Sequence, residues 1–159
     1  MLNCNYYKFD FIIDCDLMFE KYVDILKKKS IKITPQRLEI LRFLDENRNH
    51  PTADEIYKKL KKNNPSLSKT TVYNSLEILN KYNIINTISI TGVELRYDII
   101  NKMHHHFLCK KCGRIIDINI ECPNINKTLE YGHKIEEVHG YFKGICKECN
   151  EKEIDRNGS

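Results

Sequence analysis

Three observations predict an α+β chain. Between residues 17 and 82, apolar positions recur at helical spacing in four successive segments; two β-rich runs joined at Thr91-Gly92 follow; and residues 100–159 hold two Cys-x-x-Cys pairs with little other core-forming sequence. A run of helices closed by a hairpin is the order of a winged helix-turn-helix domain. The cysteine-rich remainder reads as a small α/β unit stapled by zinc. Three amphipathic helices and a hairpin can also make any small α+β core, so this order alone leaves the function open.

The chain has 159 residues, enough for one domain or two small ones. With 41% hydrophobic and 30% charged residues it reads as a soluble globular protein. No run of about eighteen uncharged apolar residues occurs, so no membrane span is expected. The opening "MLNCNYYKFDFIIDCD" lacks the basic start and small-residue cleavage site of a secretory signal, which makes the cytoplasm the expected location. Charge is unevenly placed. Of the net +4, the stretch from Lys21 to Tyr82 carries fourteen Lys/Arg against seven Asp/Glu, which leaves −3 for the rest. A concentrated basic segment suits a polyanion, although basic helices are also commonly solvated faces.

Residues 1–16 show no clear period and are read as an extension, followed by domains at 17–99 and 100–159. A first helix is expected from Asp16 to Lys29, with Leu17, Tyr22, Ile25 and Leu26 inward. The second opens at Thr34-Pro35, an N-cap followed by proline where its missing N–H costs nothing, and buries Leu38, Leu41 and Leu44. The third starts in a T-x-x-E capping box, Thr52 to Glu55, ahead of Ile56 and Leu60. Ser68 caps the fourth, which turns Val72, Leu76 and Leu79 inward and leaves Lys69, Thr71, Tyr73 and Asn74 free to face elsewhere. In the second domain two short strands should flank the first cysteine pair. "ECPNINKTLEYG" should form a short helix, and "HKIEEVHGYFKGICKEC" a strand leading into the second pair.

Cys109/Cys112 and Cys146/Cys149 are separated by thirty-three residues. Two such knuckles supply four thiolates for a tetrahedral structural Zn²⁺, a site with no open position and therefore a folding role. Lys110, Lys111 and Lys147 stand ready to offset the negative charge. A redox dithiol needs only one pair beside a βαβ unit, and none is visible. Cys4, Cys15 and Cys122 are read as incidental thiols.

The run "MHHHFLCKKCGRIID" (103–117) poses a second question. On an extended strand His104 and His106 share a face while His105 points away. They can converge on one ion with Asp98 and Asp117, six residues before and eleven after, and such imidazole–carboxylate sets suit Fe²⁺, Mn²⁺ or Zn²⁺. A polar strand with exposed imidazoles is the alternative.

The segments "ITPQR" (33–37), "HPTADEIY" (50–57), "TTVYNSLEIL" (70–79), "RYD" (96–98), "HHHFLCKKCGRIID" (104–117) and "GICKEC" (144–149) together resemble the Fur (ferric uptake regulator) repressors, and within them the peroxide-sensing PerR subgroup. The resemblance runs from about Asp16 to Glu151. It implies a homodimeric repressor of double-stranded operator DNA, with a winged-helix N-terminal domain and a small α/β dimerisation domain. It places the structural zinc on Cys109, Cys112, Cys146 and Cys149. The regulatory Fe²⁺ or Mn²⁺ falls on His50, Asp98, His104, His106 and Asp117, leaving a sixth position open to peroxide. Oxidation should then fall on His50 or His104, with peroxide the sole small-molecule signal. Asp117, where Fur proteins commonly carry Glu, and Asn74, where they commonly carry Arg, favour the peroxide-sensing subgroup over an iron-responsive repressor. Met103 and Glu137 stand near a further metal site of many Fur proteins, which is not carried over; residues 1–16 exceed the usual length of the subgroup, with Met18 as an alternative start. DNA contacts are expected from Tyr73, Lys69, Thr71 and Asn74, with Lys32 near phosphates, and Lys58, Lys59, Lys61 and Lys62 as a solvated face. No enzymatic activity is expected, since neither a Gly-rich cofactor loop nor a nucleophile–base pair is present.

Overall fold

The computed structural model describes residues 9–99, 104–120, 132, 133, 138 and 140–157. Cys4, Met103, Cys122, Glu137 and nearly all of the expected helix at 121–132 lie outside them. The chain divides into two compact units. One holds the residues up to Ile88 together with Arg96–Ile99, and the other Ser89–Leu95 together with the residues beyond Ile99.

The first unit begins with α1 (Phe9–Lys28), followed by α2 (Pro35–Glu46), α3 (Ala53–Asn63) and α4 (Lys69–Lys81), then strands β1 (Ile85–Ile88) and β2 (Arg96–Ile99). α1 starts seven residues before the expected Asp16, inside the stretch read as an aperiodic extension. The segment lacks an amphipathic period but also lacks Gly and Pro. Propagating an existing helix costs far less than nucleating one, so nothing in it stops the helix.

The caps are where the local sequence places them. Thr34 accepts the Arg37 N–H at 3.3 Å with Pro35 in the first turn. Thr52 accepts the Glu55 N–H at 3.2 Å while the Glu55 carboxylate takes the Thr52 N–H at 2.7 Å. Ser68 accepts the Thr71 N–H at 3.0 Å. α4 ends with Asn83 in the left-handed region (φ 52°), the Ile84 N–H returning to Leu79 O and the Asn83 N–H to Asn80 O. This Schellman closure drops Ile84 into the core beside Leu79 and aims the chain into β1. α1 closes the same way through Ser30 (φ 55°), which buries Ile31 against the same core.

That core joins all four helices to the hairpin: Leu26, Ile40, Leu41, Ile56, Val72, Leu76, Leu79 and Ile85 have no exposed surface. β1 and β2 pair antiparallel, with Ile88 opposite Arg96. Their connection is therefore the seven-residue loop Ser89–Leu95, with Gly92 at φ 73°, and not a tight turn at Thr91-Gly92. β2 also bonds on its other side. The Tyr97 N–H donates to Pro51 O at 3.0 Å, and Thr52 bridges antiparallel to Arg96.

In the second unit β3 (His105–Cys109) is the central strand of a sheet ordered β4-β3-β5, with β4 (Ile115–Ile118) antiparallel and β5 (Tyr141–Gly144) parallel to it. A helix, α5 (Lys147–Asn157), follows β5 at once.

Candidate metal centres

The turn after β3 assembles half of a four-cysteine cluster. The Cys109 N–H donates to Arg114 O and the Gly113 N–H to Cys109 O, both at 2.9 Å, with Gly113 at φ 73°. The other half sits at the start of α5, where the Asn150 N–H returns to Cys146 O. The ligand atoms of Cys109, Cys112, Cys146 and Cys149 all lie within 4.8 Å of one another, with Cys109 and Cys146 buried.

The four thiols are free, and Cys112 Sγ stands 3.8 Å from Cys146 Sγ. Tetrahedral Zn–S bonds of ~2.3 Å put neighbouring sulfurs ~3.8 Å apart, so the cluster fits that ion. The hydrogen bonds bias the metal-free thiols in opposite directions. N–H groups of Cys112 and Cys146 donate to Cys109 Sγ at 3.5 and 3.3 Å and push its thiol down to about 6. Hydrogen bonding to Cys146 pushes the Cys149 thiol up to about 12. A shared divalent cation lets all four ionise.

Counter-charge comes from a residue that spacing did not single out. Arg114 reaches Cys112 Sγ (Nε, 3.4 Å) and Cys146 Sγ (Nη2, 3.6 Å), and it lowers the Cys112 thiol. The Glu148 carboxylate pairs with the same guanidinium. Among the lysines expected in this role, Lys111 pairs with Glu153 and Lys147 lies 3.8 Å from Glu151.

A second cluster stands on the same sheet. His106 is the direct cross-strand partner of Asp117, and His104 lies two residues earlier on its face. His104 Nε2 and His106 Nε2 are 3.1 Å apart, and Asp117 Oδ1 is 3.5 Å from the first and 3.8 Å from the second. Adjacent ligands of an octahedral ion at ~2.1 Å stand ~3 Å apart, which these three atoms can satisfy. His105 points the other way. Its Nδ1 accepts the Gly140 N–H at 3.2 Å, and a Cβ at position 140 would meet that nitrogen at 2.6 Å, so any larger residue there would displace the His105 ring.

His50 and Asp98 belong to the first unit. Continuing the register set by Thr52 and Arg96 puts Asp98 opposite His50, and both side chains are buried, 1% and 3% exposed. Arg96 Nη1 donates to His50 O at 2.9 Å, holding His50 in the left-handed region at φ 52°. Histidine reaches that region more readily than most residues.

The ferric uptake regulator family model matches residues 28–143. The chain belongs to the ferric uptake regulator family. It is 32% identical to the peroxide-responsive repressor PerR of Staphylococcus epidermidis over 140 residues, covering 86% of this chain and 93% of that relative. It is equally 32% identical to the peroxide operon regulator of Bacillus subtilis over 136 residues, covering 82% and 92%. Among solved structures, the Helicobacter pylori ferric uptake regulator Fur, described as having three functional metal binding sites, superposes with a TM-score of 0.67 at 26% identity, covering 85% of this chain and 93% of that one. The family match ends before Cys146, so the second knuckle of this family member rests on the geometry above.

The α4 face of this Fur-family chain is only partly open. Tyr73 and Asn74 are exposed, but the Thr71 hydroxyl is turned to Ser68 Oγ at 2.7 Å within the cap. Tyr73 and Lys69 both engage Asp54 on α3. Lys32 is exposed ahead of α2, and its carbonyl accepts from Arg37. Lys58, Lys59 and Lys62 are exposed, whereas Lys61 Nζ ties the α3–α4 turn through Pro65 O and Leu67 O at 2.6 and 2.8 Å.

Proposed function

We propose that the chain is a metal-dependent, homodimeric DNA-binding repressor that senses peroxide. The observation carrying this reading is the grouping of His104, His106 and Asp117 on the sheet that also carries the closed cysteine cluster. Two donor sets of opposite softness stand within one small unit. Four sulfurs suit a structural Zn²⁺ that folds the unit, and imidazole with carboxylate suits Fe²⁺ or Mn²⁺. His50 and Asp98 complete the second set. Domains at 17–99 and 100–159 then contribute to one regulatory site, and an ion bound by both favours the orientation that fits DNA.

Bound Fe²⁺ would promote cleavage of the peroxide O–O bond, with one oxygen going to a C–H carbon of a ligand imidazole and the other leaving as water, so that the histidine is the group oxidised. The protein supplies the rest: the cross-strand pair orients His106 and Asp117, and the φ 52° backbone presents the imidazole of His50. His50 and His104 are the groups that take up oxygen, and losing either as a ligand releases the DNA. Residues 17–99 act as a winged helix-turn-helix. α4 enters the major groove with Lys69, Tyr73 and Asn74 forward, Thr71 at its cap, Lys32 near the phosphates and the 89–95 loop as the wing. The similarity to peroxide-responsive repressors over more than four-fifths of the chain supports this reading.

The test is duplex binding by Fe²⁺-loaded and Mn²⁺-loaded protein before and after low peroxide. Both forms should bind beforehand, and only the Fe²⁺ form should lose binding. Equal loss in both, or none in the Fe²⁺ form, overturns the proposal. The fold similarity to the H. pylori regulator favours a second reading, an iron-responsive repressor. Asp117→Glu separates the two, because it should blunt the peroxide response of a sensor and change nothing in an iron-responsive protein.

A further inference from the structure

Asp54 stands in the first turn of α3, yet its carboxylate serves α4. Its Oδ1 accepts a hydrogen bond from Tyr73 OH at 2.8 Å and pairs with Lys69 Nζ at 2.9 Å, while Oδ2 lies 3.1 Å from the same ammonium. Lys69 Nζ also lies 5.7 Å from the centroid of the Tyr73 ring. The three side chains form one exposed constellation: Asp54 is 44% exposed, Lys69 54% and Tyr73 43%.

Folding does not call for it. α3 is capped by Thr52 and Glu55, α4 by Ser68, and the two helices share one apolar core that includes buried Ile56, Leu60, Val72 and Leu76. Exposed ion pairs contribute little stability and restrict two long side chains. A carboxylate in a surface that meets DNA also repels phosphate. A group that folding does not need and that opposes general DNA affinity fits a role in discrimination, where wrong partners are penalised.

We propose that Asp54 is a specificity-determining residue: it holds Tyr73 and Lys69 as a preorganised pair for base edges and keeps the Lys69 charge from gripping phosphate indiscriminately. The inference rests on the DNA-binding reading above and adds a residue outside α4 to the recognition surface. Ordering Tyr73 before binding lowers the entropy lost on contact with a base. Neutralising Lys69 removes one cation from the sequence-independent, salt-sensitive part of binding.

The experiment uses the full-length Mn²⁺-loaded protein and two probes, a duplex enriched by the wild type from a randomised pool and a shuffled duplex of the same composition. Asp54→Ala should bind the shuffled duplex several-fold tighter. Its slope of log K against log salt should steepen by about one, the increment for one added phosphate contact. The ratio of affinities for the two duplexes should fall by roughly tenfold, the scale of one base contact. Asp54→Asn keeps an acceptor for Tyr73 and drops the charge, so it should show the steeper slope with a smaller loss of ratio. Adding Lys69→Ala to Asp54→Ala should return the slope to its original value. If the wild type discriminates the duplexes and Asp54→Ala leaves either ratio or slope unchanged, this inference fails alone. If the wild type enriches no duplex and does not discriminate, the DNA-binding reading fails and the inference with it.

Discussion

Arg114 extends its guanidinium across two of the four sulfurs and is itself held by Glu148. Partners of this kind tune a metal's ligands without touching the metal. Arg114→Ala should therefore weaken zinc binding by roughly tenfold to a hundredfold, measured as transfer to a chelator, with all four thiols still present. A second residue-scale prediction concerns Tyr22, 2% exposed, whose hydroxyl donates to Asp45 Oδ2 at 2.6 Å. Tyr22→Phe should cost about 1.5–3 kcal/mol in urea denaturation, the usual range for a bond to a charged group. Burial alone would raise the Asp45 carboxyl, but Tyr22, Lys21 and Arg48 together hold it below the ordinary range. A carboxyl depressed in the folded state stabilises above its unfolded value of about 3.9 and loses that contribution as pH falls through the folded value. The Tyr22→Phe difference should accordingly shrink in acid below that window. At this scale the sequence shows the ligands better than their supports. The thiols and imidazoles are visible from spacing, whereas Arg114 and the pairing of His50 with Asp98 depend on strand register, which spacing does not contain.

Elements were legible where their signals are local. Thr34, Thr52 and Ser68 cap the helices they precede because a side-chain oxygen next to an orphan N–H needs nothing from the rest of the fold. α5 was not foreseen, since "KECNEKEIDRN" has almost no apolar residue to mark a buried face. Its N-terminus is anchored by Cys146 and Cys149 instead. The length of the 89–95 loop was equally hidden, because the β-rich runs continue past the residues that actually pair. The first knuckle offers a test of how strictly its element is built. Gly113 sits at φ 73° with nothing within 4 Å of an added Cβ, so Gly113→Ala brings backbone strain without a clash. The loss should be about 1–2 kcal/mol, seen as a lower midpoint for the zinc-loaded protein, and Gly113→Asn should recover part of it.

On the scale of the molecule, the two units rest on different physics. The first has an apolar core that joins four helices and a hairpin, while the described residues of the second form three short strands, a helix and a four-cysteine cluster. Stripping zinc should unfold the second and leave the first, so that circular dichroism keeps the signal of α1–α4 while protection of the β3–β5 amides is lost. A single cooperative loss of all helical signal on chelation would contradict that division. The proposed regulatory ion would join what the zinc does not, drawing His50 and Asp98 from one unit and His104, His106 and Asp117 from the other. Peptide mass mapping of the Fe²⁺-loaded protein, taken at the peroxide dose that abolishes DNA binding, tests this account most directly. It predicts the gain of one oxygen atom on a peptide containing His50 or His104, absent from Mn²⁺-loaded protein; oxidation confined to the cysteines at that dose would contradict it.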